Sequence, residues 1–290
     1  MTTNDKPWER TFPRTEVFAE IDRLGLQSNV IELESEGYTV VPSLLGADTI
    51  ARAQAAILNQ LERKTGSRPN LKTYDGPRLP LAHFLLFEDE VFEQILMNEV
   101  MLALMTYLLG QSLTISSMTS HVRAPDNPHL PLHCDTPGLT PFRSESIVAN
   151  CNFAFDDYTK ENGCLAIIPG THRLGRNPTP DEGNPHTNPF VISVEVPIGS
   201  AIVYHGNTWH GAFKREVPGV RLNLAVFMAR NYITRQERIK ENVTPEMIER
   251  NGERFARLCS QFEFNGYEED GPDFARAAKF VGALIDPRFG

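Results

Sequence analysis

Three side chains that can bind a metal ion stand in two parts of the sequence. His133 and Asp135 have one residue between them, and His210 lies much further along the chain. On a β-strand, residues i and i+2 point to the same side, so His133 and Asp135 can converge while Cys134 faces away. Two imidazoles and one carboxylate on one face of an octahedron leave three positions open, as in non-haem Fe(II) oxygenases. The pattern therefore predicts a mononuclear iron site.

His210 is the preferred third ligand because it follows the apolar, strand-like run 199–204 and precedes Gly211. A glycine there lets the backbone turn close to a ligand. Three other histidines remain alternatives: His121, His129 and His205. His205 also ends a strand-like run, but residues five positions apart face opposite sides of an unbroken strand. Only one of His205 and His210 can then point inward.

Arg221 lies in an alternating run of apolar residues, 220–227, which predicts a strand that turns Arg221 away from Val220 and Leu222. An inward guanidinium needs an anion, and its planar fork matches a carboxylate through two parallel hydrogen bonds. We therefore expect Arg221 to bind the distal carboxylate of a dicarboxylic keto acid beside the metal.

The elements that must position these residues follow from hydrophobic periodicity. Apolar residues at helical spacing predict a helix over 46–64, with Asp48 as its cap, and one or two helices over 91–109. The charged tail 234–264 predicts amphipathic helices, one of which starts at Thr244. Six strand-like runs separated by Gly/Pro-rich turns predict a β-sandwich or barrel: 113–122, 147–155, 164–168, 190–196, 200–204 and 220–228.

Three long Pro/Gly/polar segments are predicted to form the mouth of the site, because long loops in compact domains are often lids or binding loops. They are residues 66–79, 124–132 and 174–189. Four side chains are predicted for the substrate wall from their nearness to the H-x-D strand: Tyr74, Met118, His121 and Phe142.

Length and composition predict one domain over residues 1–290, with a mixed N-terminal part to about 110, a strand-rich core to about 230 and a helical tail. A formal charge of −9 without a Lys/Arg cluster argues against nucleic-acid binding. The start of the chain lacks the apolar core of a signal peptide, and no window approaches twenty apolar residues, so we expect a cytoplasmic protein outside the membrane. The four cysteines form no C-x-x-C pair, which favours free thiols.

Several motifs together resemble the phytanoyl-CoA dioxygenase family of Fe(II)/2-oxoglutarate oxygenases. They are His-Cys-Asp at 133–135, Pro-Phe-Arg-Ser at 141–144, Asp-Asp at 156–157, Glu-Asn-Gly-Cys-Leu at 161–165, Ile-Pro-Gly-Thr-His-Arg at 168–173, His210 and Arg221. The resemblance covers most of the chain. Residues 36–42, followed by a helix from about Asp48, look like the opening strand and helix of that family.

The resemblance implies a double-stranded β-helix, the cupin-like jelly roll, in a mainly β protein with helical additions. It also implies that His133, Asp135 and His210 bind iron and that Arg221 binds the C5 carboxylate of 2-oxoglutarate. The chain departs from the family at Asn152, near the position where members often carry Trp. We expect Asn152 to donate a hydrogen bond to the cosubstrate there.

The reaction implied by the family consumes 2-oxoglutarate and O2 on Fe(II), releases succinate and CO2, and oxidises a C–H bond of the substrate. Related halogenases have a small residue in place of the carboxylate ligand, so Asp135 favours hydroxylation, desaturation or a related oxidation. The expected substrate is a small organic molecule, a natural-product or lipid-like intermediate. Acyl-CoA hydroxylation and a non-catalytic ligand-binding jelly roll are the alternatives, and a homodimer stays open.

Overall fold

The α-helices come before and after the strand-rich part 113–230 in the residues that the computed structural model describes, which are 13–138, 140–261, 267–268 and 271–272. Short 3-10 turns lie at Leu85–Phe87 and Thr171–Arg173. The α-helices are α1 (Pro13–Leu24), α2 (Gln27–Glu36), α3 (Ala47–Thr65), α4 (Glu90–Leu96), α5 (Glu99–Leu109), α6 (Ile239–Asn242) and α7 (Pro245–Leu258).

The strands form a five-stranded and a four-stranded sheet, both antiparallel, and a short hairpin of β10 and β11. The larger sheet has the order β1-β7-β4-β9-β2 and the smaller one β3-β8-β5-β6. The strands are β1 (Tyr38–Val41), β2 (Leu113–Thr119), β3 (Leu130–His133), β4 (Val148–Ala154), β5 (Leu165–Ile167), β6 (Ile192–Val194), β7 (Ala201–His205), β8 (His210–Ala212), β9 (Asn223–Arg230), β10 (Tyr267–Glu268) and β11 (Gly271–Pro272).

The larger sheet is buried on both faces. Its outer face carries apolar residues such as Met118, Cys151 and Val226, which join the helices in the main hydrophobic core. Its inner face meets the smaller sheet through a second apolar cluster that includes Ile202 and Leu165. Two facing antiparallel sheets, which do not close into a barrel, make the fold a double-stranded β-helix with helical additions.

The apolar run 91–109 forms two helices because two side chains start new ones. Asp89 accepts a hydrogen bond from the Val91 N–H at the start of α4, and Asn98 accepts one from the Met101 N–H at the start of α5. The sequence had indicated Asp48 as the cap of α3, and this prediction is wrong. The N-cap of α3 is Gly46, and Asp48 lies in the first turn, where a carboxylate favours the positive end of the helix dipole.

One strand next to the candidate ligands was not predicted, and another lies earlier in the chain than expected. β8 begins at His210 itself, and the expected strand through His133 and Asp135 is β3, which lies partly inside the mouth-loop segment 124–132 and ends before Asp135. Both strands are short. β3 contains Pro131, which is tolerated because the pairing of β3 with β8 is irregular there. Arg221 precedes β9 and pairs in an isolated bridge with Arg123.

The predicted helical tail contains α6 and α7, and Thr244 caps α7 by accepting a hydrogen bond from the Met247 N–H. Residues 262–264 of that prediction lie outside the described residues. None of the described helices alone has the length and apolar composition of a membrane span. The bent pair α4 and α5, which meet at 54°, passes such a test only when taken together.

The close approach of β3 to β8 requires Gly211. A methyl group added there would collide with the carbonyl oxygen of Leu130, a backbone atom that cannot rotate away. We expect Gly211→Ala to lower the free energy of unfolding by about 1–3 kcal/mol, the range for overpacked sites. Chemical denaturation measures it. In the control Gly46→Ala the new methyl group meets nothing within 4 Å. Equal effects of the two substitutions would contradict the predicted crowding.

Candidate metal centre and active site

The two candidate histidine ligands face each other across a pair of antiparallel strands. His133 at the end of β3 is the direct partner of His210 at the start of β8. Their ring centroids lie 4.4 Å apart. The sequence therefore identified His210 correctly, but the reason we gave, its place after the strand-like run 199–204, does not explain its position. The chain leaves the larger sheet at His205, turns through 206–209, and enters the smaller sheet at His210.

Asp135 completes the group from just beyond the end of β3. Its carboxylate oxygens lie 3.7 Å from His133 Nε2 and 3.6 Å from His210 Nε2. The three ligand atoms lie within 4.8 Å of one another. The Gly206 carbonyl holds this stretch by accepting hydrogen bonds from the N–H groups of Asp135 and Thr136, at 2.9 and 3.2 Å. A side chain at Gly206 would collide with Val148 of β4, so only glycine lets this residue lie close to both β4 and the Asp135 segment.

Both imidazoles are set up to offer Nε2 to a metal ion. His133 Nδ1 lies 2.9 Å from the Pro131 carbonyl, and His210 Nδ1 lies 3.0 Å from the Thr208 carbonyl. A ring whose Nδ1–H donates to a carbonyl carries its free lone pair on Nε2. Burial lowers the pKa of His210, against the opposing effect of the Asp135 carboxylate. The donor set and its orientation fit a two-histidine, one-carboxylate iron centre.

Cys134 turns away from this centre, as the alternation of side chains predicted. Its Sγ lies 3.4 Å from the Arg176 carbonyl and 3.2 Å from the Asn207 carbonyl. Burial, with the Asp135 carboxylate next to it, raises the pKa of the thiol to about 12. A thiol that keeps its proton is a poor metal ligand.

A cavity of about 250 Å³ opens from the three ligands between the two sheets. Its inner wall comes from alternate residues of β2, β4 and β9, whose other face belongs to the main core. Its charged residues include Asp135, Arg123 and Arg221. With two guanidinium groups and one carboxylate, these walls favour a ligand that carries negative charge.

Arg221 is buried in this cavity with part of its hydrogen-bonding capacity unused. Its Nη1 donates to the Gly163 carbonyl at 2.7 Å, and its guanidinium lies 4.5 Å from the centre of the Tyr158 ring. Its Nε is buried without a hydrogen-bond partner. Among the described residues, no carboxylate forms an ion pair with Arg221. A buried donor without a partner is unfavourable, so this position fits the carboxylate of a ligand.

Arg123 is a second buried arginine in the cavity, and the sequence gave no signal for it. Its backbone N–H and carbonyl exchange hydrogen bonds of 3.0 and 2.9 Å with Arg221. Burial and the neighbouring Arg221 lower the pKa of Arg123 to about 10, which still leaves it charged at neutral pH. The pairing joins residues far apart in sequence, so periodicity could not have found it.

Asn152 lies on the cavity wall inside a network of neutral polar side chains. Its Oδ1 accepts hydrogen bonds from the Tyr158 hydroxyl at 3.2 Å and from Asn223 Nδ2 at 2.7 Å. Tyr204 is a buried residue of the same wall, and its ring lies 4.6 Å from that of His210. The direct contact to the cosubstrate that we expected of Asn152 stays a prediction.

The structure places the four predicted substrate-wall residues differently. His121 lines the cavity and is exposed to solvent. Met118 points to the opposite face of β2 and packs in the main core. Tyr74 packs at the edge of that core and donates a hydrogen bond to the Pro77 carbonyl. Phe142 is buried outside the cavity wall. Met118, Tyr74 and Phe142 are corrections to the sequence prediction.

The mouth also differs from the prediction. Of the segments 66–79, 124–132 and 174–189, only Leu130 reaches the cavity wall. The lining residues exposed to solvent include Leu81 and Gln236, and Ser117, Thr119 and Phe227 of β2 and β9 line the cavity as well.

Two of the alternative histidine ligands lie away from the metal centre. The His129 ring meets the His186 ring edge to face, with centroids 5.3 Å apart. His205 accepts a hydrogen bond from the Asn207 N–H at Nδ1, and its Nε2 lies 3.2 Å from the Ser144 carbonyl. His121 shares the cavity, but it is not in the group of three converging ligand atoms.

Comparison with known families decides the affiliation of this chain. The phytanoyl-CoA dioxygenase (PhyH) family matches residues 33–221, which contain the three candidate ligands and Arg221. The chain belongs to the phytanoyl-CoA dioxygenase family. The sequence motifs at 133–135 and 161–165 had indicated this membership, and the structure brings both motifs to one cavity.

Two curated relatives of this family member are dioxygenases. Dioxygenase trt7 of Aspergillus terreus is 27% identical over 212 residues, which are 67% of this chain and 70% of the relative. Ectoine dioxygenase of Stutzerimonas stutzeri is 21% identical over 253 residues, or 76% of this chain and 82% of the relative.

Solved structures share the fold. HygX from Streptomyces hygroscopicus, with nickel and 2-oxoglutarate bound, has a TM-score of 0.58 at 16% identity, over 73% of this chain and 89% of HygX. The epimerase SnoN, in complex with Fe3+, alpha-ketoglutarate and nogalamycin RO, has a TM-score of 0.54 at 20% identity, over 72% of this chain and 84% of SnoN. At these identities the likeness is one of fold.

The buried His205 makes stability depend on pH. Burial, with His172 nearby, lowers its pKa from the ordinary 6.5 to about 3. The unfolded chain therefore binds a proton below pH 6.5 that the folded state does not accept until about pH 3. This contribution to stability is complete above pH 6.5 and is lost as the pH falls through that window, by about 1.4 kcal/mol per pH unit.

We expect His205→Gln to reduce the slope of the free energy of unfolding against pH by that amount between pH 6 and 4. Chemical denaturation with a chelator present measures both proteins without contributions from bound metal. An unchanged slope in the variant would show that His205 is not held neutral by its surroundings.

Proposed function

We propose that this protein is an Fe(II)/2-oxoglutarate-dependent dioxygenase that oxidises a C–H bond of a small organic molecule, with release of succinate and CO2. The observation that carries the proposal is the convergence of His133, Asp135 and His210 in the same cavity as Arg221, whose Nε has no hydrogen-bond partner. Membership of the phytanoyl-CoA dioxygenase family supports it.

His133, Asp135 and His210 would hold the iron. Bound iron supplies the activation of O2 that drives the oxidative decarboxylation of 2-oxoglutarate. The chain contributes position and charge. Hydrogen bonds at both Nδ1 atoms fix the rings, and the Gly206 carbonyl fixes the backbone of Asp135. Three protein ligands leave open positions for the cosubstrate and O2.

Arg221 would receive the distal carboxylate of 2-oxoglutarate through its unused donors. The Tyr158 ring under the guanidinium and the Gly163 carbonyl beside it keep the fork in one orientation. Arg123 adds a second positive charge at the same wall. The two arginines give this end of the cavity the charge and the hydrogen-bond donors that a dicarboxylate needs.

The substrate would enter from the other end of the cavity. Ser117, Thr119 and Gln236 offer neutral hydrogen-bonding groups there, and Phe227 offers an apolar surface. This lining suits a natural-product intermediate with polar substituents better than a plain hydrocarbon chain. SnoN belongs to nogalamycin biosynthesis, and HygX has also been solved with hygromycin B bound, which supports a substrate of this kind.

We propose a cytoplasmic location on the sequence argument alone.

The two alternative functions are less well supported. A cavity of about 250 Å³ offers little room for a long acyl chain beside the cosubstrate. A non-catalytic binding module would not need a three-ligand metal site beside a buried arginine with an unused donor.

Succinate release tests the proposed function directly. The protein loaded with Fe(II) is expected to convert 2-oxoglutarate to succinate in air with ascorbate, and Asp135→Ala is expected to abolish this, because two imidazoles alone hold the ion weakly. Asp48→Ala, which removes a carboxylate from the first turn of α3, is the control and should keep wild-type activity. Metal binding without succinate in the wild type would favour the binding module.

Arg221→Ala is expected to raise the KM for 2-oxoglutarate on the order of 10²- to 10³-fold. Removing one partner of a buried ion pair costs about 3–5 kcal/mol, and about 1.4 kcal/mol corresponds to a factor of ten. Arg221→Lys keeps the charge without the fork and should fall between the two proteins.

The matched control is Arg215→Ala. Arg215 is equally buried and donates to the Gly219 carbonyl, but it does not line the cavity. Steady-state kinetics of succinate release measures all three variants. Equal KM values in Arg221→Ala and wild type would remove Arg221 from the cosubstrate site.

A further inference from the structure

Residues 176–183, which we call the strap, cross the outer side of the metal centre without reaching the cavity. The segment 174–189 was predicted to form part of the mouth, and the strap instead lies behind the two short pieces of chain that carry all three ligands. None of its residues forms a hydrogen bond or an ion pair with a metal ligand side chain, so we expect the strap to affect the ligands through the residues next to them.

The first attachment is to the H-x-D segment. Asn177 Oδ1 accepts a hydrogen bond of 3.0 Å from the backbone N–H of Cys134, the residue between His133 and Asp135. The Arg176 carbonyl lies 3.4 Å from Cys134 Sγ. At the other end of the strap, the Gly183 carbonyl accepts a hydrogen bond of 2.8 Å from the Leu132 N–H.

The second attachment is to the segment that leads into β8. The same Arg176 carbonyl accepts a hydrogen bond of 2.8 Å from the indole N–H of Trp209, the residue before His210. The Arg176 guanidinium lies 4.7 Å from the centre of the Trp209 ring. The Arg176 carbonyl therefore contacts both Cys134, which lies between His133 and Asp135, and Trp209, which precedes His210.

A charged clasp holds the strap in this shape. The Arg176 guanidinium binds both carboxylate oxygens of Glu182, at 2.7 and 2.8 Å, and Glu182 also accepts from the N–H and hydroxyl of Thr179. The hydrogen bonds from Arg176 and Thr179 lower the pKa of Glu182 to about 2, so the clasp stays charged through the working range of pH. Two parallel hydrogen bonds fix orientation as well as distance.

We infer that Arg176 and Asn177 are positioning residues that set the spacing of His133, Asp135 and His210 and so determine the affinity for the metal ion. This inference rests on the proposed function only in taking the three side chains as metal ligands. β3 is an edge strand, and on its open side the strap supplies the hydrogen-bond partner of Leu132 that a neighbouring strand would supply in a wider sheet.

Isothermal titration calorimetry with Co(II) on the full-length metal-free protein tests the inference. Arg176→Ala and Asn177→Ala are each expected to weaken Co(II) binding about 10- to 100-fold, the range for partners of metal ligands. Asn177→Asp keeps an acceptor for the Cys134 N–H and should bind Co(II) at least as tightly as the wild type.

Arg250→Ala is the matched control. Arg250 has nearly the same side-chain exposure as Arg176, 41% against 42%, and it also binds a glutamate, Glu93, through two nitrogens. Its loss should lower the melting temperature and leave the affinity for Co(II) unchanged. This separates a general loss of stability from a loss of ligand geometry.

Wild-type affinity in both Arg176→Ala and Asn177→Ala, or a loss no larger than that in Arg250→Ala, would overturn the inference. If Arg176→Ala does not fold, the comparison of Asn177→Ala with Asn177→Asp tests the inference by itself. A wild type that binds Co(II) but releases no succinate with Fe(II) would contradict the proposed function and leave the role of the strap intact.

Discussion

The register between β3 and β8 is the constraint on which the site depends. These strands have four and three residues, and their pairing alone sets His133 opposite His210. A slip of one residue would turn one imidazole to the other face of the sheet. Two strands this short cannot specify a register by themselves, so contacts with other parts of the chain must hold it. Gly211 lets the backbones approach, the Gly206 carbonyl holds Asp135, and the strap holds the residues between the ligands.

One face of the larger sheet packs against the helices and the other lines the cavity. The alternation of side chains along its strands keeps apolar and polar residues on separate faces. On β4, Cys151 and Phe153 face the helices, while Asn150 and Asn152 face the cavity. A polar inner face is favourable only if its groups find partners. Asn152 finds them within the protein, whereas Arg221 keeps a buried nitrogen unpaired. An acceptor on a ligand placed there would satisfy this nitrogen, whereas an internal acceptor would occupy the site.

The sequence predicted the parts of the site that depend on spacing and failed where strands are short or contacts are distant. H-x-D requires only a local extended chain, so His133 and Asp135 could be paired without knowing the fold. β8 has three residues and shows no periodicity of its own. Arg123 meets Arg221 through a backbone bridge between distant segments, and no pattern in the sequence records it. Met118 is different. It stands three residues from His121, so strand alternation already places the two on opposite faces, and both could not line one wall.

The arrangement separates the control of metal binding from the control of substrate choice. The strap acts from the outer side of β3 and supplies no residue to the cavity wall, whereas Ser117 and Thr119 line the cavity from the inner face of β2. Neither of them forms a hydrogen bond with a metal ligand, whereas on β4 Asn150 Nδ2 lies 3.5 Å from the Asp135 carboxylate. A change at the strap would alter the ligands and leave the mouth in place. We expect two packed sheets of this kind to allow the substrate to vary on a constant metal centre, which a site built on one loop would not.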